Sequence, residues 1–516
     1  MEKRFHLSSA IVFLSAVCFA QDGQLDGSFA VDGFAITDVG PYDRNVIRQL
    51  VVRPDGRFVG VGHTWNSTDF DFALVQYLPN GEPDPSFGSN GQVTTDFDGA
   101  FDQANCMALL PDGKLVVAGT SGTVKVVRYL PNGVIDQTFG TNGWIGLDGN
   151  RQLAALDVLE DGSLLLCGSL YSEEWTYDQA LTKLTPNGSL DISFGNGGNA
   201  TLDIDQHYEL GDAITLQPDG KILMAGFTNW NDANNAFQDI VISRYFANGV
   251  LDPAFGTNGK VQVDVDPVGN SMDYVNDMAL QSDGKIVLGC MIINSGDWDL
   301  GVLRLNPNGT MDNSFGTNGQ VVIDHNLQSQ NVQDVEVLAD GKILAGGYAY
   351  HKMALWRLLA DGTLDPTFGD GGLSRPSVDP ASYDYGYTMA VQPSGKVLLA
   401  GSTTHQCLLN TNLVARFENE ITVSMPEVER EDQFIALFPT PTLENAVLRF
   451  HLDEPSAVSI EVRDASGRLL RSSLAQTKYG AGTHTVEVQL ADQAPGLYEV
   501  TLSTQRSSRS VRAIKQ

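Results

Sequence analysis

The sequence predicts an all-β chain, most of it a seven-bladed β-propeller of four-stranded blades, followed by a small β-sandwich. Three observations predict it. A short phrase built on Asp and Phe occurs seven times, an Asp-Gly turn or close variant stands once in each interval, and no segment after residue 20 sustains a 3.6-residue apolar period.

The phrase reads LDGSF at 25–29, PDPSFG at 83–88, IDQTFG at 135–140 and LDISFG at 190–195. It returns as LDPAFG at 251–256, MDNSFG at 311–316 and LDPTFG at 364–369. Its Phe residues, Phe29, Phe87, Phe139, Phe194, Phe255, Phe315 and Phe368, set a period of 52 to 61 residues. The turns are PDGR at 54–57, PDGK at 111–114, EDGS at 160–163, PDGK at 218–221, SDGK at 282–285, ADGK at 339–342 and PSGK at 393–396. A PNG-type turn, such as Pro131-Asn132-Gly133, precedes most Phe phrases. Glycine accepts the positive φ that such tight turns need, so each turn separates two strands.

Between the turns lie short β-branched runs. In the second interval they predict strands near Ala104–Leu110, Leu115–Gly119, Val124–Tyr129 and Gly143–Leu147. Four strands per period, repeated seven times, is the pattern of a propeller. Its ends argue for closure. Residues 25–37 supply a Phe phrase and one strand without three strands before them, and the last interval stops after its third strand near Val414–Phe417. Together the fragments make one blade, and closing the ring leaves no open sheet edge.

Pairing of (P/S/A)DGK with LDxxFGxxG at this spacing resembles the delta-60 repeat family over residues 25–417. The resemblance implies a propeller scaffold and no assigned activity. The chain departs from the pattern at Ser394 and at Ala30, where Asp and Gly are usual.

Residues 1–20 read as a secretory signal, with Lys3 and Arg4, an apolar stretch from Leu7 to Phe19 and Ala20 before Gln21. No other apolar run approaches the roughly 20 residues of a membrane span. Residues 418–433 form an acidic linker, and a separate β module follows at 434–516. Its landmarks are Pro439 and Pro441, Asp464 with Gly467-Arg468, Gly482-Thr483-His484, Pro495-Gly496-Leu497-Tyr498 and Ile514-Lys515. They resemble a type A C-terminal sorting domain of the type IX secretion system, with Thr440 where that family usually has Asn. The resemblance implies Sec export, passage through the type IX machinery as partner, removal of the domain, and a secreted or outer-surface location.

The formal net charge is −31, nearly all of it on residues 21–417. Such a field repels phosphate backbones, which argues against nucleic-acid binding. Cys106, Cys167, Cys290 and Cys407 lie in different intervals within or beside strand runs, which favours separate buried thiols over disulfides.

No GxSxG, HExxH, P-loop or CxxC signature is present, and the seven His from His63 to His484 are scattered without metal-ligand spacing. No cofactor is expected. Calcium is a weak alternative, because no acidic stretch completes a DxDxDG loop. In a propeller the DGK and PNG turns share one face, stereotyped as scaffold. The opposite face receives connections of varied length and content, and four of the six Trp fall there. Variable loops on a rigid scaffold are where binding residues gather. The candidate ligand-binding residues are therefore Trp65, Asp71, Trp175, Trp230, Asn231, Trp298 and Asp299. Exposed aromatics beside Asn and Asp suit a glycan or a protein ligand. The alternatives are a polysaccharide hydrolase or lyase with its site at the channel, and a structural surface protein without a specific ligand.

Overall fold

Val, Leu and Ile fill three long runs in every interval, and Gly-bearing turns cut them too short for anything but strands. The computed structural model describes residues 22–419 except 41, 43, 98, 148–150, 173–175, 205–206, 233–234, 266–271, 295–296, 325–328 and 405–409. It also describes 435–515 except 439–445, 453–454, 465–467, 481, 491–495 and 505–507. All the regular structure among these residues is strand, in two units, Met1–Ile421 and Thr422–Gln516.

In the first unit the repeats are numbered by their first strands: Asn45–Val52, Asp102–Leu109, Arg151–Val158, Tyr208–Leu216, Met272–Leu280, Gln330–Val337 and Tyr383–Val391. Each runs antiparallel to the strand after the DG-type turn, then to a third strand, then to a short fourth strand that follows the Phe phrase. Five sheets have four strands; a sixth has eight, because repeats four and five are joined by a single parallel bridge, Gln238↔Met272. In repeat two the strands are Asp102–Leu109, Leu115–Ser121, Thr123–Tyr129 and Trp144–Leu147, within two residues of the sequence expectation.

Repeat seven takes its fourth strand from the start of the chain. Phe34–Thr37 pairs antiparallel with Asn410–Phe417, from Phe34↔Ala415 to Thr37↔Asn412. Inner strands of repeats seven and one also meet: the Leu50 amide donates to Thr388 Oγ1 at 3.2 Å, and Gln392 Nε2 to the Gly56 carbonyl at 3.0 Å.

Every repeat Phe is buried at 1% exposure or less. It packs against the PNG-type turn of the following repeat. A Cβ added to Gly133, whose φ is +85°, would approach the Phe87 ring to 3.0 Å and Val93 to 2.7 Å, so glycine is required there on both counts. The residue after each Phe donates its amide to a carbonyl of the next turn. The pairs are Ala30 to Asn80, Gly88 to Asn132, Gly140 to Asn187, Gly195 to Asn248, Gly256 to Asn308, Gly316 to Asp361 and Gly369 to Asp22, all at 2.8–2.9 Å. The sequence departures fit locally. Ala30 adopts φ +42°, the left-handed conformation its glycine counterparts hold, and Ser394 offers its hydroxyl to the Lys396 amide at 3.5 Å as Asp112 does for Lys114 at 3.2 Å.

The Asp of each phrase caps its own turn and also receives a cation, usually an Arg from the third strand. Arg128–Asp136, Arg244–Asp252, Arg304–Asp312 and Arg357–Asp365 are ion pairs of 2.7–2.9 Å. Each of these guanidinium groups also lies 4.4–4.8 Å from the centre of its repeat's Phe ring. Arg416 does the same between Asp26 and Phe29. Where Gln76 stands in place of that Arg, Arg53 donates to it at 2.8 Å and Arg57 pairs with Asp84 at 3.1 Å. Burial opposes ionisation of Asp84, Asp136 and Asp365, but the donated hydrogen bonds and cations outweigh it and hold them at about 2.

The packing of this unit continues beyond residue 417. Glu418, which composition places in the linker, pairs with Lys396 at 2.9 Å, and buried Asn419 accepts from Arg357 at 2.8 Å. Cys106, Cys167 and Cys290 are buried and free, whereas Cys407 lies outside the described residues.

The second unit has two antiparallel sheets, ordered Ile435–Phe438, Ala446–Leu452, Gly482–Val488 and Leu469–Tyr479, Ser456–Asp464, Gly496–Ser503, Ser508–Lys515. One apolar cluster draws on both, with Leu448, Phe450 and Val488 from the first and Val458, Ile460, Val462, Val500 and Leu502 from the second. Thr440 lies outside the described residues.

Candidate functional site

The first strands of the repeats line two cavities. Each of these strands carries a β-bulge at the same place, at Arg48, Asn105, Ala154, Asp212, Asn276, Gln333 and Tyr387. All seven bulged residues line one cavity of about 480 Å³. A bulge turns an extra side chain out of the ladder, which accounts for a polar ring at one depth. A second cavity, about 1040 Å³, lies toward the DG turns and includes Glu336 and Asp277. The strand lining the cavity is thus the one before each DG turn.

Carboxylates here are raised by burial. Asp212 and Glu336 are pushed up to about 7, and Asp334 stands well above its usual value because the charges of Asp277 and Glu336 add to burial. Two of these groups have structural work. Asp277 accepts the Val335 amide at 2.9 Å and Asp334 the Met389 amide at 2.6 Å, each on the next repeat's first strand. Gln49 takes the Met107 amide and Thr388 the Leu50 amide in the same way. The group after the bulge therefore ties neighbouring strands together. No His lines either cavity among the described residues.

The opposite end of the sheets from the DG turns, where hairpins join second and third strands, holds the predicted residues. Trp65 is half-buried at the end of Phe58–Trp65, edge-on to Phe70 at 5.1 Å, tilted to Phe101 at 6.4 Å and beneath the Arg44 guanidinium at 5.4 Å. Trp298 is 37% exposed at the start of the third strand of repeat five, and its neighbour Asp299 is buried. Asp71 is buried too and accepts from Asn66 Nδ2 at 2.9 Å. Trp230 and Asn231 lie in the backbone register opposite Phe237 and Ala236, but their side chains are outside the described residues, as is all of Trp175.

Sequence reasoning missed aromatics at the junctions between repeats. Phe101 (61% exposed) completes the Trp65–Phe70 cluster from the next repeat. Tyr171, Tyr177 and Tyr208 form a second cluster between repeats three and four, with centroids 5.1 and 6.2 Å apart. His351 and Tyr383 form a third between repeats six and seven at 4.9 Å. An aromatic at the start of a first strand, just before an acid, was the available signal: Phe101-Asp102, Tyr208-Glu209 and Tyr383-Asp384.

Six stretches of the chain, 53–87, 110–139, 159–194, 217–255, 281–315 and 338–368, match a family described as a domain of unknown function (DUF5122) beta-propeller. The chain is a β-propeller protein. Each matched stretch of the propeller runs from a DG-type turn to a repeat Phe, so the cavity-lining first strands fall largely outside the match. No curated protein matches the chain. Among solved structures the propeller is similar to a protein of unknown function from Bacteroides caccae, at 12% identity and TM-score 0.31, covering 62% of this chain and 98% of that one. It is similar to another of unknown function from Dyadobacter fermentans, at 14% and 0.39, covering 75% and 100%. It is also similar to prolyl oligopeptidase B from Galerina marginata, at 10% and 0.39, covering 78% and 54%. No helix among the described residues is long and apolar enough to cross a membrane.

Proposed function

We propose that the first unit is a closed ring of seven blades acting as an exported, non-catalytic binding module, with glycans as the preferred ligand class and proteins as the other. Closure is supported by the pairing of Phe34–Thr37 with Asn410–Phe417 and by the chain of amide bonds that returns from Gly369 to Asp22. The binding reading rests on one observation: exposed aromatic rings recur beside carboxylates at three repeat junctions of the hairpin end. Rings of this kind stack on sugar faces, and the exposed carboxylates of Asp96 and Asp203 nearby are able to accept hydroxyl hydrogens. A hydrolase or lyase in the channel is the weaker reading, because two of the carboxylates there tie strand to strand.

The second unit is read as the sorting domain, a two-sheet sandwich whose apolar cluster matches an independently folded module. Export through the type IX machinery and an outer-surface or secreted location follow from that reading. Two measurements test the whole. A glycan array of the full chain is run beside a Trp65→Ala, Phe101→Ala, Tyr208→Ala, Trp298→Ala variant, and a specific signal lost in the variant is expected. Retention of full signal by the variant overturns the binding face. For export, deletion of 434–516 is expected to trap the protein inside the outer membrane of a type IX-competent host.

A further inference from the structure

The hairpin end repeats a pattern in space that no contiguous motif encodes. The sixth residue before the end of each third strand is Asp71, Asp178, Asp239 or Asp299 in four repeats and Lys352 in repeat six. Beside it come the acid after the fourth strand and the acid three residues before the bulge of the next repeat's first strand. At two junctions these three groups converge. Carboxylate oxygens of Asp71, Asp96 and Asp102 lie within 4.8 Å of one another, and so do those of Asp178, Asp203 and Glu209.

Two further observations point to a ligand. Asp102 and Glu209 are fully enclosed, at 0% exposure, and each keeps one oxygen that is sealed from solvent and accepts no hydrogen bond. The partner oxygen of Asp102 accepts the Phe97 amide at 2.6 Å, and that of Glu209 the Thr228 hydroxyl at 3.0 Å. Buried carboxylate oxygens without partners are costly, and a second and third carboxylate beside them add repulsion. The other observation is a natural substitution within the chain. In repeat six the equivalent position is Lys352, whose ammonium lies 3.7 Å from Asp384 and donates to the Asp379 carbonyl at 2.9 Å. There the chain provides its own cation.

We propose that Asp71, Asp96 and Asp102 bind one divalent cation, that Asp178, Asp203 and Glu209 bind a second, and that calcium is the ion favoured. The donors are all oxygen, which selects hard cations. Oxygens on opposite sides of a calcium ion at about 2.4 Å each are about 4.8 Å apart, and the oxygens of both clusters lie within that distance of one another. Asp69, buried and bridged to Asp71 through Asn66 Nδ2, adds a further negative charge near the first cluster. Each ion sits at a seam, with two ligands from one repeat and one from the next. The proposal is independent of the glycan reading, since its test uses calcium alone.

The test is calorimetric titration of the EDTA-treated, dialysed full chain with CaCl2 and with MgCl2, alongside melting in each. Two calcium ions per chain and a calcium-dependent rise in Tm are expected, with magnesium weaker. Asp102→Asn and Glu209→Gln should each remove one ion. Asp71→Lys transplants the arrangement of Lys352, so it should remove one ion while melting no lower than the parent in EDTA. Absence of calcium binding at millimolar CaCl2, or an unchanged ion count in the Asp71→Lys variant, overturns the proposal.

Discussion

The two ends of the sheets in the first unit solve the same electrostatic problem in opposite ways. At the DG-turn end six of the seven repeats bury an Asp, then satisfy it with a capping amide, a hydroxyl where one is present and a cation, as Asp312 is held by Ser314, Arg304 and Lys285. At the hairpin end it buries carboxylates beside one another: burial, then the charges of its neighbours, raises Asp71 and Asp102, and burial chiefly lifts Glu209 to about 7. One end is complete without help. The other becomes complete only when something positive arrives. The comparison separates scaffold from site on physical grounds, without any appeal to which residues recur.

The largest effect should come from breaking the satisfied end. Arg304→Ala leaves buried Asp312 with Lys285 as its remaining cation and strips the Phe315 ring of its cover, and a loss of about 3–5 kcal/mol is expected in denaturant unfolding. The reverse sign is expected at the other end. In calcium-free buffer at pH 8, Glu209→Gln should gain about 2 kcal/mol, because it removes a charge that burial disfavours. A loss there would mean that the enclosed oxygen is satisfied after all.

The pH profile of Tm reads both ends together. Asp84, Asp136 and Asp365, held at about 2, stabilise above the ordinary carboxylate range, and that stability drains away as pH falls from about 4 to about 2. Glu209, raised to about 7, stabilises while protonated, so its share is lost as pH climbs from about 4 to about 7. Without calcium the Tm maximum should therefore lie near pH 4–5. A maximum at neutrality would contradict the contrast. A smaller gain, up to about 1 kcal/mol, is expected for Ala30→Gly, which relieves a left-handed alanine. Least of all, Ile192→Ala, at a side chain 77% exposed, should change stability by less than about 0.5 kcal/mol.

The repeat, the turns and the four strands per interval were legible because they are local. Glycine at a tight turn and an alternating apolar run declare themselves within a few residues. The Arg partner of five of the seven phrases was hidden although it recurs, since a single Arg inside a strand such as Thr123–Tyr129 looks like an exposed edge residue. Among the site residues, Trp65 stands at a hairpin end, and sequence could not say that Phe70 and Phe101 would close around it. The acidic clusters were least legible. Asp71, Asp96 and Asp102 come from different strands of two repeats, so no spacing rule along one loop finds them.

The pairing of Phe34–Thr37 with Asn410–Phe417 makes the beginning of the polypeptide wait for its end. A chain made from its N-terminus has no partner for its first strand until nearly four hundred further residues have followed, and closing so long a loop is slow. Until then the sheet at the seam offers an open edge, the kind of surface that recruits chaperones or stray neighbours. The seam is also a matter of bookkeeping by the gene and not of geometry. A circular permutant cut at the DG turn of any other repeat, with its old ends joined, should re-form the same strand pairing.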